Sequence, residues 1–259
     1  MCFSILAIVL TIWLLHLYNT YPRSIDIHDI WVINLDKDID RWKNIATRTE
    51  DIRWKVHRWP ATYGKHVRKG EGHMEGVSQI VMFKTDAKPS VYYAKTEVDN
   101  NQGKIGCWLS HKRLLTYLAS MKVPDSYAHL IVEDDIFFHK GFLEDWKRVS
   151  KKIPADWDMV YLGINFPFLT KPIDPPVYKG TTSFTDQGNW GTQAYVVRHG
   201  SIRSRILPKL KYMSHEIDVQ LNLYFDEMNV YFLYPNLLAL DSEQSKHSSI
   251  EQEEKKTSE

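Results

Sequence analysis

Apolar residues fall along this chain in short runs, separated by polar turns and by stretches with helical spacing. Ile30-Trp31-Val32-Ile33-Asn34-Leu35 is rich in β-branched residues and predicts a buried strand. Asp36 to Arg48 reads as a turn entering a helix, with acids early and bases late, as the helix dipole favours. Lys55 to Trp59 predicts a second strand, stopped by Pro60. Leu114, Leu115, Leu118 and Met121 recur at helical spacing and predict a helix from Trp108 to Met121 whose stripe faces the core. Further strands are expected at Leu130–Val132, Met159–Leu162 (ending at Gly163), Gln193–Val197 and Val230–Leu233, and helices at Ser201–Leu207 and Val219–Phe225. Gly64 to Asn101 reads as a loop-rich insertion with little regular structure. Pro167 to Thr185, with four prolines, reads as irregular. Strands alternating with helices imply a layered α/β domain.

Two terminal segments depart from this pattern. Cys2 to Tyr18 is nearly all apolar and, at roughly 17 residues, sits at the short limit for a membrane span. No basic stretch precedes it and Asn19-Thr20-Tyr21-Pro22 is a poor cleavage site, so an uncleaved single-span anchor is expected rather than a signal peptide. From Ser242 the chain is polar and charged, which predicts a disordered tail. The expected organisation is an anchor over residues 1–22, one globular domain over 28–241 and a tail over 242–259.

The 259 residues suffice for one α/β domain, and 43% hydrophobic with 25% charged residues is a globular composition. A net charge of +1 argues against a nucleic-acid binder that works by bulk electrostatics. Two cysteines exclude a disulfide scaffold. Cys107 reads as a small buried residue, since only His111 stands near it in sequence.

The chemistry concentrates at His129-Leu130-Ile131-Val132-Glu133-Asp134-Asp135-Ile136-Phe137-Phe138. Three acids are wedged between two apolar runs, so they stand at the end of a buried strand. Adjacent carboxylates repel one another there unless a cation compensates them. A hard divalent ion with oxygen ligands does so, often while holding a phosphate. The carboxyl end of a strand is also where open α/β sheets bind ligands. The alternative is a solvated acidic turn.

Four other patches carry candidate chemistry, each with an ordinary structural alternative. Asn34-Leu35-Asp36 with Asp40-Arg41 ends a strand and starts a helix, a place for a nucleotide or for a surface Asp40–Arg41 pair. In Gly103 to His111, the glycines permit close backbone approach, and Ser110 and His111 are expected in the first helical turn with donors pointing outward. Gly188 to Tyr195 is a polar turn before a strand, suited to a sugar site or to a plain β-turn. Asp218, near a helix start, is a candidate general base or a dipole-satisfying acid.

Taken in order, Ile33-Asn34-Leu35-Asp36 with Asp40-Arg41, Gly106-Cys107 with Ser110-His111, Glu133-Asp134-Asp135, Gly191-Thr192 with Ala194-Tyr195, and Asp218 resemble glycosyltransferase family 25, from about Ile30 to Ile250. That family includes lipooligosaccharide and collagen galactosyltransferases. Gln244, His247, Ser248 and Ile250 resemble its ending, but Ser249 stands where the family usually has Asp.

The resemblance implies a GT-A-like, Rossmann-like domain and an inverting transfer of a hexose, most often galactose, from a UDP-sugar. It implies that Asp135 binds Mn²⁺ or Mg²⁺, with His247 as a further ligand. Glu133 would face the ribose, with Asp134 beside it. Asn34, Arg41, Ser110 and His111 would belong to the nucleotide pocket, and Gly191, Thr192 and Tyr195 would lie near the sugar. Asp218 would take the acceptor proton. Three acids on one strand end cannot flank a glycosidic bond from both sides, which disfavours a hydrolase. The histidines form no pair with metal-site spacing of the kind a phosphohydrolase needs. The alternative from another class is an inactive glycosyltransferase-like scaffold or glycan-binding module. The acceptor (glycan, lipid-linked glycan or protein hydroxyl) and the oligomeric state stay open. An anchored enzyme of this kind is expected in the secretory pathway of a eukaryote or at a bacterial inner membrane.

Overall fold

The computed structural model describes residues 24–67, 75–77, 80–85, 92–97, 102–170, 172–183 and 188–241, with backbone alone for 80–85 and 92–97. The proposed anchor, the tail and His247 lie outside the described residues. Among those described, no helix is long and apolar enough to cross a membrane.

The first apolar run forms β1 (Ile27–Asn34), and α1 (Ile39–Arg48) follows it. Next come β2 (Lys55–Pro60), β3 (Ile80–Thr85), β4 (Tyr92–Glu97) and the long helix α2 (Gln102–Ser120). The strand of the acidic motif is β5 (Ala128–Glu133), followed by the two-residue β6 (Ile136–Phe137) and α3 (Phe142–Val149). The remaining strands are β7 (Met159–Asn165), β8 (Pro172–Asp174), β9 (Val177–Lys179), β10 (Trp190–Arg198), β11 (Val230–Leu233) and β12 (Ala239–Leu240). An irregular helical stretch covers His199–Leu210, and α4 (Ile217–Asn222) precedes β11.

Eight strands make the main sheet, in the order β2-β1-β5-β10-β7-β11-β9-β8. β2, β1 and β5 run parallel, β10 runs against both β5 and β7, and β7 pairs parallel with β11. This is a large, mostly parallel sheet of Rossmann-like character. One consequence positions the site: β1, β2, β5 and β7 end, and the reversed β10 begins, on the same edge.

Side-chain alternation divides the core into two layers. Trp31, Ile33, Ile131, Tyr161 and Tyr195 face α2, where Trp108, Leu115 and Leu118 are fully buried. Ile30, Val32, Leu130, Val132 and Val196 face the opposite side and pack on Ile45, Phe142 and Trp146. Central parallel strands covered on both faces must read as continuous apolar runs, as β1 and β5 do.

Three expectations change. Gly64 to Asn101 has more regular structure than expected, because β3 and β4 form an antiparallel hairpin within it. Pro167 to Thr185 contains the short antiparallel pair β8–β9. The helix expected from Trp108 starts six residues earlier, at Gln102, so Ser110 and His111 stand in its third turn and are buried rather than outward-facing. Gly103 and Gly106, expected to permit close backbone approach, lie inside this helix, where Gly106 has a packing role. A Cβ there would lie 2.7 Å from Thr62 O and 2.8 Å from Gly64 N.

Gly106→Ala therefore sets a gain in helix propensity of about 1 kcal/mol against a backbone clash costing about 1–3 kcal/mol. A net loss of stability is expected, read as a lower midpoint in chemical denaturation. A higher midpoint would show that the 62–64 loop yields freely.

Candidate active site

Glu133 is the last residue of β5, and Asp134 and Asp135 turn away from it. The three acids meet three different environments. Asp134 is held by two partners: Asn34 Nδ2 donates to Oδ2 at 2.6 Å and Arg41 to Oδ1 at 2.9 Å. Asn34 is itself fixed, donating to Asp38 O at 2.9 Å while Arg58 Nε donates to its Oδ1 at 2.7 Å. Burial still raises the Asp134 carboxyl above its ordinary value, against the pull of Asn34 and Arg41.

Glu133 accepts from Thr192 Oγ1 at 3.0 Å and lies 3.6 Å from His111 Nε2. Burial pushes its carboxyl up, but His111, Thr192 and Arg41 together outweigh that and hold it below the usual range. The His111 ring is oriented from behind by the buried Tyr195 hydroxyl, 3.0 Å from Nδ1.

Asp135 is less well supported. Its Oδ1 is buried and has no hydrogen-bond partner among the described residues. Burial, then the charges of Glu133 and Asp134, push its carboxyl up to about 7. A buried carboxylate oxygen with an empty lone-pair direction, beside two further acids, fits a hard divalent cation. Asp241 N donates to Asp135 O at 2.7 Å, so the described chain ends beside this residue.

Asp218 lies in the first turn of α4, where Gly191 N and Val219 N donate to its two oxygens at 2.7 and 2.8 Å. Burial raises its carboxyl despite those donors. Gly191 has φ +92°, a left-handed conformation that suits glycine and aims its N–H at Asp218. Neighbouring residues of β10 thus tie the two acidic centres together, Gly191 holding Asp218 and Thr192 holding Glu133.

Arg41, Ser110, His111, Glu133, Asp134 and Asp135 line one cavity of about 130 Å³ on this sheet edge, together with Tyr63 and Gly64. Asn34, Thr192 and Tyr195 stand behind that wall and orient its residues. The Ser110 hydroxyl donates to Gly106 O and accepts from Thr62 N, which binds α2 to the 62–64 loop. Arg41 does not form the surface pair with Asp40; it reaches Asp134, and Asp40 meets Lys43 instead. Sequence reasoning missed Arg58, whose signal was a basic residue near the end of a strand flanking the site. It also missed Lys104, 3.5 Å from Glu216.

The folded-state pKa of Asp135 lies above its unfolded value, so the stability it contributes is full below about pH 4 and is lost as pH rises through about 7. Asp135→Asn should therefore stabilise the chain at pH 8 by on the order of 1–3 kcal/mol, with the gain vanishing near pH 4. Chemical denaturation at both pH values, with chelator present, checks this. A wild type as stable as the variant at pH 8 would show that Asp135 is compensated.

Comparison with known proteins assigns the chain to a family. A family model described as glycosyltransferase family 25 (LPS biosynthesis protein) matches residues 27–220. A "Glycosyltransferase 25 family member" of Drosophila pseudoobscura pseudoobscura is 27% identical over 136 residues, which is 52% of this chain and 20% of that protein. Procollagen galactosyltransferase 1-B of Xenopus laevis is 21% identical over 179 residues, 68% of this chain and 27% of that protein. The chain thus spans only about a quarter of the length of these relatives. With the family model covering most of its length, the chain belongs to glycosyltransferase family 25.

Proposed function

We propose that this chain is an inverting, metal-dependent hexosyltransferase with a GT-A-like catalytic domain over residues 28–241. It would move galactose from a UDP-sugar to a hydroxyl on a glycan, lipid-linked glycan or protein. The observation that carries the reading is the buried, unpartnered Asp135 oxygen on the wall of a cavity at the carboxyl ends of β1, β2 and β5. Galactose is supported by the name of the Xenopus relative, a procollagen galactosyltransferase.

Asp135 would hold Mn²⁺ or Mg²⁺. Asp241 bonds to Asp135 at the edge of the described chain, which leaves His247, six residues on, within about 20 Å of contour length as a further ligand. When bound, such an ion supplies charge neutralisation for a departing diphosphate. The protein's own groups do the rest. Arg41 brings positive charge to the cavity while keeping Asp134 in place. Glu133, fixed by Thr192, offers an acceptor for ribose hydroxyls. Asp218, whose carboxyl burial raises above its ordinary value, takes the proton of the attacking hydroxyl. A single displacement needs only that one base. Residues 1–22 would anchor the chain to a membrane by a single span, facing the secretory lumen in a eukaryote.

An inactive scaffold is disfavoured by the same Asp135 oxygen. A buried carboxylate oxygen without a hydrogen-bond partner costs stability, and a retired site has no ligand to offset it.

The test is a panel of nucleotide sugars incubated with the purified chain and Mn²⁺, scored for donor hydrolysis and for transfer to simple glycoside acceptors. UDP-galactose is expected to be the turned-over donor. Asp218→Asn should keep donor binding while transfer falls by about 10²-fold or more. Turnover of no nucleotide sugar would sink the proposal, and normal transfer by Asp218→Asn would move the base to another acid.

A further inference from the structure

We propose that Cys107, His111 and Glu133 form a second cation site, selective for a thiophilic ion such as Zn²⁺, whose occupation excludes nucleotide from the adjoining cavity. The exclusion rests on the reading of that cavity as the donor pocket; the cation site does not.

Cys107 and His111 are four residues apart on α2, so their side chains share one face of the helix. Glu133 comes to them from the end of β5. One ligand atom from each of the three lies within 4.8 Å of the others. His111 Nε2 and Glu133 Oε1 are 3.6 Å apart. Two ligands about 2.0–2.1 Å from a tetrahedral ion lie about 3.3 Å from each other, so little movement is needed. The Thr192 hydroxyl bridges these two groups, 3.0 Å from Glu133 and 3.3 Å from His111. An ion would take the place of that bridge.

Two independent features point to a metal rather than a packing accident. The first lies behind the ligands. His111 turns its other ring nitrogen to Tyr195 OH at 3.0 Å, in a fully buried position. Ligating histidines usually have such an outer partner, which fixes tautomer and ring plane. The tyrosine hydroxyl can accept from Nδ1–H and so leave the Nε2 lone pair for the ion. The second is the surrounding charge: the carboxyl groups of Asp134 and Asp135 line the same cavity as the three ligands and draw in a dication. As the sulfur–metal bond forms, the thiol proton leaves to solvent.

The donor set sets the selectivity. One sulfur, one imidazole nitrogen and one carboxylate oxygen suit Zn²⁺ or Co²⁺, whereas Asp135 offers only oxygen, which suits Mn²⁺ and Mg²⁺. All three ligands line the cavity, so an ion here keeps an open fourth position toward it and occupies Glu133.

The experiment is a Co²⁺ titration of the purified full chain without nucleotide, followed by the thiolate-to-cobalt charge-transfer absorption. The band is expected in the wild type, in Cys2→Ser and in Asp135→Asn, and should be absent in Cys107→Ser. Tyr195→Phe, which keeps the ring in the core, should weaken Co²⁺ binding by about 10- to 100-fold. Zn²⁺ should bleach the band and weaken UDP binding in calorimetry. No band in the wild type, or a band retained in Cys107→Ser, would overturn the site, and its loss in Asp135→Asn would assign the ion to the acidic triad instead. UDP affinity indifferent to Zn²⁺ would overturn the exclusion. A chain that shows the band but binds no UDP would support the site and count against the donor reading alone.

Discussion

One unmet charge organises this molecule's functional edge. β5 ends in three consecutive acids at the boundary of a core that is covered on both faces. Glu133 is answered by Thr192 and His111, and Asp134 by Asn34 and Arg41, but Asp135 has no hydrogen-bond partner for Oδ1 among the described residues. Coulomb repulsion and desolvation act together on that one carboxylate, and the fold bears the cost. Sites that keep an uncompensated group commonly do so for a ligand.

The fold's regularity makes this possible. Parallel β1, β2 and β5 deliver Asn34, Arg58 and the acids to one edge, and the reversed β10 begins there with Gly191 and Thr192. Gly191, in its left-handed conformation, serves Asp218 through its backbone N–H, while Thr192 serves Glu133 through its side chain. The two acidic centres are locked to a single strand, which suits a reaction that needs a fixed distance between leaving group and base.

Much of this could be read from the sequence, for a physical reason. Buried parallel strands must be continuous apolar runs, so β1, β5, β7 and β11 announce themselves, and the acids stand out against their flanks. What escaped notice was set by distance along the chain or by packing. Arg41 meets Asp134 across 93 residues, which no local pattern encodes. Gly103 and Gly106 look like helix breakers, yet they lie inside α2, where Gly106 lets the helix touch the 62–64 loop. The hairpin of β3 and β4 lies in a stretch whose mixed composition masks the two-residue period. Cys107 looked inert because its partner Glu133 belongs to another element.

The central claim is that Asp135 awaits a hard cation that arrives with a nucleotide diphosphate. Calorimetric titration of UDP into the wild type and Asp135→Asn, each with Mn²⁺ and with chelator, tests it most directly. The account predicts UDP binding to the wild type that needs Mn²⁺, and little binding to the variant under either condition. Equal UDP affinity with and without Mn²⁺ in the wild type, or undiminished Mn²⁺-dependent binding in the variant, would contradict it.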